Sequence, residues 1–574
     1  MPLAPHHGQP RRLARPLTEE AFRTHLPNGR LARVCFAQNI PLHLFPGGWF
    51  GGAKDPKKQY VNAAPKGISM KKRLSTWASL VAAVLLTGCA SMQSHNETAN
   101  QMLAAGHQGD FKAALAQLDE RHKSAEAKKE LLYNMEKGEL LRLAGELGPS
   151  NDAYLAADAK VRDWEDTVKT NPEKVFGVVG ASLVSERLKV YEGQDYEKVW
   201  LTTRLALNRL SQANLDESRV DIKRTHEREA LIAEFHSKET SAAEEEARSR
   251  GAQTEGREIS GYPVETLNDP EVLSLKNGYQ NALSHYLAGF VYEALNEPGL
   301  AAPGYRKAIE LRPGVKALED GLRGLDSRTS FTWKRKQRMT DVLFVVETGT
   351  APARIPQNFT LPVPTGTSIR TVSISYPTIE PSREPHLESV SVAGQSVALS
   401  NVVDLNVMAR RALKDEMPGM VLRGFTRAIA KGVVQEQLEK AAGPFAGLLG
   451  AVASAATEQA DDRMWRMLPG RVYLARAHLP PGEHDVSIGG RSFGKTRIDG
   501  QYAIVPLRLY ESQQLTTAVG TFGQLPLVAQ TVAPQVAPAP TTVNKPVRRA
   551  TQRSNAAKPR VPKTNAAKSA ATAQ

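Results

Sequence analysis

The sequence predicts an α+β protein: an N-terminal domain of helical repeats, a mixed, β-rich second domain, and a basic tail without a fold of its own. Three observations lead there. Ala, Leu, Glu and Lys recur at helical spacing from about residue 100 to 326, with Gly or Asn between segments. Alternating and continuous β-type runs begin at residue 341. Residues 531–574 are rich in Pro, Ala and Thr and carry 8 Lys+Arg and no acid. The expected divisions are 1–69, an extension upstream of the true start; 70–88, a signal peptide; 89–326, the helical repeats; 327–525, the β-rich part with central helices; and 526–574, a disordered tail.

The first element is a leader. Met70-Lys71-Lys72-Arg73 is a basic stretch, Leu74 to Leu86 carries no charge, and Thr87-Gly88 leads to Cys89. A basic start, a short apolar run and a small-residue cleavage site make a secretory signal peptide. The run is too short to span a bilayer, which takes about 20 apolar residues. Leu86, Thr87, Gly88 and Cys89 resemble the processing site of bacterial lipoproteins. That resemblance implies a diacylglycerol on the Cys89 thiol, cleavage before it, and membrane attachment through the lipid. Ala90 and Ser91 follow, with no Asp at the position that retains many Gram-negative lipoproteins on the inner membrane. The implied location is the outer membrane, facing the periplasm. Residues 1–69 show neither helical nor strand periodicity, and Arg11-Arg12 is followed by no apolar run, so a twin-arginine signal is rejected.

The net charge of +14 suggests a nucleic-acid binder until its distribution is read. Residues 1–88 hold 13 Lys+Arg against 3 Asp+Glu, and the tail holds another 8 cations, which leaves residues 89–530 at about −4. A slightly acidic body offers no basic face for a duplex, so no nucleic-acid partner is expected. The two cysteines are Cys35, in the upstream extension, and Cys89. A mature chain starting at Cys89 would keep one cysteine, blocked by the lipid that the lipoprotein resemblance implies, so no disulfide, thiolate metal site or cysteine nucleophile is expected.

Within the helical part the clearest unit is NALSHYLAGFVYEALNEPGLAAPGYRKAIELRPG, residues 281–314. Gly289 and Tyr292 fall on its first helix, Ala301, Tyr305 and Ala308 on its second, and Pro313 closes it. These six residues stand at the small and aromatic positions of a tetratricopeptide unit. Small residues let paired helices approach, and tyrosines fill the space between units. Gly138 and Leu141 precede Tyr154 and Ala157 at corresponding offsets. FKAALAQLDE (111–120) reads as a lone second helix, the stretch from Tyr196 as another degenerate pair, and 236–260 as a solvated insertion. Tandem helix pairs make a concave surface that commonly holds peptides or proteins.

In the second part, 341–352, 368–377 and 387–394 read as strands, Val402 to Lys414 and Met420 to about Ala441 as helices, and 443–456 as a buried or partner-facing helix. RVYLARAHLPPGEHDVSIGG and QYAIVPLRLY return to strands. GGRSFGKT (489–496) matches a phosphate-binding loop literally. Such a loop must open a helix, whereas RIDGQYAIVPLRLY continues as strand, so the motif reads as a glycine-rich hairpin. His478 and His484 flank a turn without metal-ligand spacing. No catalytic residue, metal or cofactor is expected.

FVVETGTAPAR, SISYPTIE, LRGFTRAIAK and DDRMWRMLPGRVYLARAHLPPGEHDV resemble an uncharacterised family of Gram-negative bacterial lipoproteins with tetratricopeptide-like repeats. The resemblance covers Cys89 to about Leu509, implies no catalytic residue, and links the chain loosely with envelope proteins that regulate cell-wall synthesis. The function expected is a non-enzymatic, protein-binding scaffold at the cell envelope, with another envelope protein as partner. The alternative is a cell-wall accessory lipoprotein that contacts peptidoglycan, or another anionic envelope polymer, through the basic tail and β-rich part. A hydrolase with an unrecognised site is the third reading.

Overall fold

Among the described residues, four helical hairpins built on one turn precede the first strand. In the computed structural model, which describes residues 94–171, 189–249, 263–365, 368–382, 385–443 and 459–526, these hairpins are α1 His95–His107 with α2 Phe111–Arg121, α3 Leu131–Leu143 with α4 Leu147–Thr170, and α5 Asp195–Ser211 with α6 Leu215–Ser249. After the short α7 (Pro270–Ser274) comes the fourth, α8 Ala282–Ala294 with α9 Pro298–Leu311. The middle residue of each turn is left-handed: Gly109, Gly145, Ala213 and Asn296, with φ of 79°, 82°, 58° and 64°. The next amide in each case donates back to the first helix, from Asp110 to Ala105 O at 3.0 Å, Glu146 to Leu141 O at 2.9 Å, Asn214 to Arg209 O at 2.8 Å and Glu297 to Tyr292 O at 2.8 Å. This closes each helix end without a long loop.

Counted from that residue, the packing positions coincide. Gly138, Ala206 and Gly289 share one position, and Tyr154, Ile222 and Tyr305 share a facing one. Ala114, Ser150, Ser218 and Ala301, all fully buried, share a third. A side chain at Gly289 would place Cβ 2.6 Å from Cδ1 of Tyr305, and at Gly138 it would fall on the ring of Tyr154. Glycine is therefore what lets a tyrosine fill the hairpin interior.

The helices α10 (Lys316–Arg323), α11 (Leu325–Thr329) and α12 (Phe331–Lys336) lead into β1 (Thr340–Thr348). A ribbon of β2 (Ile355–Thr365) and β3 (Ser368–Thr378) follows, then β4 (Ser389–Val392), β5 (Gln395–Ala398), β6 (Ser400–Asp404) and α13 (Leu405–Ala442). The chain ends its described course with β7 (Arg471–Leu479), β8 (Gly482–Ile488), β9 (Arg491–Ile498), β10 (Tyr502–Leu509), β11 (Gln514–Thr516) and β12 (Gly520–Phe522). The main sheet runs β11-β10-β1-β7-β6, with β12 also on β10 and only the β1/β10 pair parallel. A second sheet runs β5-β4-β8-β9.

β1 is buried on both faces. Leu343 and Val345 join a hydrophobic cluster that continues through Ile504 and Leu474 into the hairpin interiors. Val342, Phe344 and Val346 pack instead on Val390, Val392, Val486 and Ile488 of the second sheet. The layers are thus helices, main sheet, second sheet. A strand covered on both sides must be apolar at consecutive positions, which is how 341–352 reads.

Several boundaries differ from expectation. Val402 to Asp404 belongs to β6, and the helix starts at Leu405, where Asp404 Oδ1 accepts the Val407 N–H at 3.1 Å. That helix runs on to Ala442 through Pro418 without the expected gap before Met420. Arg410 and Arg411 tie its start to Asp269 and to the Leu275 carbonyl, and this tertiary anchoring outweighs the weak local propensity. The 111–120 helix is not alone but pairs with α1. The start of the 236–260 stretch continues α6 as far as Ser249. Residues 444–458, the lipoprotein motif at Leu86–Cys89 and the 531–574 tail lie outside the described residues.

Candidate functional site

Between α13 and β7 the stretch from Ala460 to Gly470 takes no regular structure, yet Met464, Trp465, Met467 and Leu468 are fully buried. A buried irregular backbone needs partners for its N–H and C=O groups. They come from helix carboxylates. Glu136 on α3 accepts the N–H of Arg466 at 2.6 Å and of Met467 at 3.1 Å, and Glu197 on α5 accepts that of Trp465 at 2.7 Å. Asp462 Oδ2 accepts from Ser94 Oγ at 2.8 Å and the His95 N–H at 2.7 Å. The Trp465 ring meets Tyr154 edge-on at 5.8 Å. So the chain's own segment occupies the helical surface beside α3 and α5. Burial pushes the Glu136 carboxyl up to about 8, against the opposing pull of two backbone N–H groups, and Glu197 up to about 7 for the same reason.

Two buried ionic clusters join the hairpins to the sheet. At one end of β1, Glu347 contacts Arg204 of α5, Arg508 of β10 at 3.2 Å and Arg142 of α3 at 3.6 Å, while Arg204 also reaches Glu139 at 3.1 Å. At the other end, Asp341 takes Arg476 at 2.7 and 2.8 Å, and Arg476 and Arg328 both bind Glu293 of α8 at 2.6 Å. Asp341, Leu343, Val345 and Glu347 alternate onto the helix-facing side of β1, so a strand with acids at its ends and apolar residues between them docks against arginines.

A cleft of about 770 Å³ opens between α1, α2 and α3, lined among others by Gln101, Gln117, Arg121, His122, Tyr133 and Glu136. His95, at its floor, faces Arg121 Nη2 through Nδ1 at 2.6 Å and the Met464 carbonyl through Nε2 at 3.2 Å. Because a guanidinium only donates, Nδ1 must accept and Nε2 must carry the proton. Burial first, and Arg121 second, hold His95 well below its usual pKa, so it is neutral. Tyr133 donates to Asp119 at 2.7 Å, and Lys128 pairs with the same carboxylate at 3.1 Å. The cleft offers a mixed donor, acceptor and apolar lining suited to binding.

The residues singled out in the sequence take clear places. Gly289, Ala301, Tyr305 and Ala308 meet inside the fourth hairpin, with the last three fully buried. Tyr292 is half-buried under the Arg219 guanidinium, 5.5 Å from its ring centre. Pro313 lies exposed in the turn after α9. His478 approaches Asp341 at 3.6 Å and His484 bonds the Pro480 carbonyl at 2.7 Å, so they do not converge. Among the described residues no group of His, Cys, Asp or Glu is placed to hold a metal, and no helix is long and apolar enough to cross a membrane. Gly489 and Gly490 turn β8 into β9, as the hairpin reading of GGRSFGKT requires.

Sequence reasoning missed the carboxylates Glu136, Glu139, Glu197 and Glu293. A signal existed: LLYNMEKGELLRL sets Glu136 and Glu139 among leucines, Tyr133 and Met135 on a helix whose apolar residues leave little solvated face. Comparison with known protein families, curated proteins and solved structures finds no match.

Proposed function

We propose that the chain is a lipid-anchored envelope protein whose tetratricopeptide-like hairpins act as a non-enzymatic scaffold, taking another envelope protein in the cleft between α1, α2 and α3. The observation that supports this is the division of the helical surface. Beside α3 and α5 it is filled by the chain's own Asp462–Leu468 stretch, while the cleft at the first hairpin stays open. Attachment to the membrane through Cys89, at the periplasmic face of the outer membrane, belongs to the same proposal and rests on the Leu86-Thr87-Gly88-Cys89 motif.

The test is site-specific photocrosslinking in intact cells from Gln101 and Gln117, which line the cleft, with Asp326 on α11 as a remote control. One envelope protein captured from the two cleft positions and not from the control supports the scaffold. Equal capture from all three positions sinks it. The cationic tail supports a second reading, contact with anionic cell-wall polymer. Salt-sensitive retention on purified sacculi that survives removal of the tail would dismiss the tail as that contact.

A further inference from the structure

The segment from Phe331 to Met339, FTWKRKQRM, stands apart from the rest of the described surface. Phe331 is 77% exposed and Met339 41% exposed, and Arg335, Lys336 and Arg338 are exposed beside them. Elsewhere, surface cations commonly sit on a carboxylate: Lys129 on Glu126, Lys238 on Glu234, Lys316 on Asp320, Arg411 on Asp415. Among the described residues no carboxylate lies within ion-pair distance of Lys334, Arg335, Lys336 or Arg338. Glu293 and Asp341 are buried and are taken by Arg328 and Arg476.

The segment is fixed in place. Ser330 Oγ caps the short α12 by accepting the Trp333 N–H at 3.3 Å, and the Trp333 ring lies edge-on to His478 at 6.1 Å. Lys334 Nζ sits 5.6 Å from the Tyr502 ring centre, and Gln337 Nε2 donates to the carbonyls of Met339 and Gln501 at 2.9 and 2.8 Å. These contacts hold the segment at the end of the main sheet where the neighbouring strands β1 and β10 begin. A lone exposed apolar residue is ordinary. An exposed phenylalanine and methionine on a rigid mount among three exposed cations without a carboxylate partner is the pattern of a surface that lies in a membrane interface.

We propose that Phe331–Met339 is a membrane-contact surface. Arg335, Lys336 and Arg338 bind anionic phospholipid headgroups, and the Phe331 ring enters the boundary between headgroups and acyl chains. The surface does not depend on the scaffold reading. Its task is to fix which side of the protein faces the bilayer, which attachment at a single lipidated residue leaves free.

The experiment uses the full chain carrying Cys89→Ser, so that no acyl group contributes, and sedimentation with phosphatidylcholine vesicles with or without phosphatidylglycerol. Binding should require phosphatidylglycerol and weaken with salt. The Arg335→Gln/Lys336→Gln variant should bind about 25-fold more weakly, at roughly fivefold per cation. Both side chains are exposed, so the thermal midpoint should not move. In a Phe331→Trp variant, brominated acyl chains should quench added indole emission, which binding through the basic tail alone would not cause. The proposal is overturned if the charge variant binds like its parent, if the indole at 331 is not quenched, or if the chain ignores anionic vesicles and the same substitutions release it from cell-wall sacculi.

Discussion

Tyr154 and Tyr305 occupy the same place in two hairpins and do the same thing. Each donates its hydroxyl to a buried glutamate of the preceding helix, Glu139 at 2.5 Å and Glu293 at 2.7 Å. Each glutamate pairs with an arginine, Arg204 or Arg476, that in turn holds an acid at one end of β1, Glu347 or Asp341. The hairpins are therefore coupled to the sheet by charge as well as by apolar packing.

Tyr305→Phe keeps the ring and removes both the hydrogen bond to Glu293 and the longer one donated by Arg476 Nη1 at 3.3 Å, and the bond to the buried carboxylate alone is worth about 1.5–3 kcal/mol. Gly289→Ala pushes Cβ against that same ring, and overpacking of this kind costs about 1–3 kcal/mol. Because both act on one contact, the double variant should lose less than the two single losses together. Equilibrium urea unfolding reads all three.

Glu347 balances three buried arginines, Arg142, Arg204 and Arg508, with only Glu139 to share the task. Replacing it with Gln leaves the cluster short of negative charge, and breaking a buried pair costs about 3–5 kcal/mol. Arg508→Met removes surplus positive charge and should cost clearly less. Comparable losses from the two variants would show that the charge balance is not what matters.

Stability should fall at both ends of the pH scale for separate reasons. Burial raises the carboxyls of Glu293 and Glu347, but Arg476 and Arg328 around the first, and Arg204, Arg142 and Arg508 around the second, outweigh it and hold each at about 2. An unfolded glutamate titrates near ~4.3, so their contribution is complete above that pH and is lost as pH falls toward 2. Glu136 and Glu197, at about 8 and 7, behave oppositely. The unfolded chain releases those protons first, so stability declines as pH rises from ~4.3 through 8. Glu136→Gln should flatten that decline in a series of thermal melts while leaving the acid limb unchanged.

Trypsin offers a local probe of the clamped segment, which carries Arg463 and Arg466. In the intact protein Arg466 is buried and its N–H is held by Glu136, so cleavage there requires local opening. Glu136→Ala should expose the bond and speed cleavage after Arg466 several-fold under native conditions. An unchanged rate would mean that Trp465 and Met467 hold the segment without the carboxylate.

Much of the architecture was legible. Five consecutive hydrophobic residues in VLFVVET announced a strand buried on both faces, and Gly138, Gly289 and their tyrosines announced hairpins whose helices touch. The start of α13 was not legible, because the Val402–Asp404 stretch reads equally as helix or strand until β7 lies beside it. The first hairpin was half visible for a similar reason: HNETANQMLAAGH has a weak apolar stripe, and its pairing with α2 depends on Met467 and on Asp462 capping its start. The candidate site was the least legible part: its lining lies between His95 and Glu136, where no spacing marks a cleft, and Glu136 at its side is tied to a segment more than three hundred residues away in the chain.

The sequence by itself determined what is local. Turn residues with left-handed freedom, small residues facing tyrosines and two-residue alternation act over a few positions, and they set the α+β class and the hairpin spacing. Only the tertiary structure decided which carboxylates are buried, which arginines answer them, and that the protein fills part of its own helical surface with the 462–468 stretch. Those outcomes depend on desolvation and Coulomb attraction between residues far apart in sequence. Neither force leaves a periodic mark on the chain, because each acts only once the partners have been brought together.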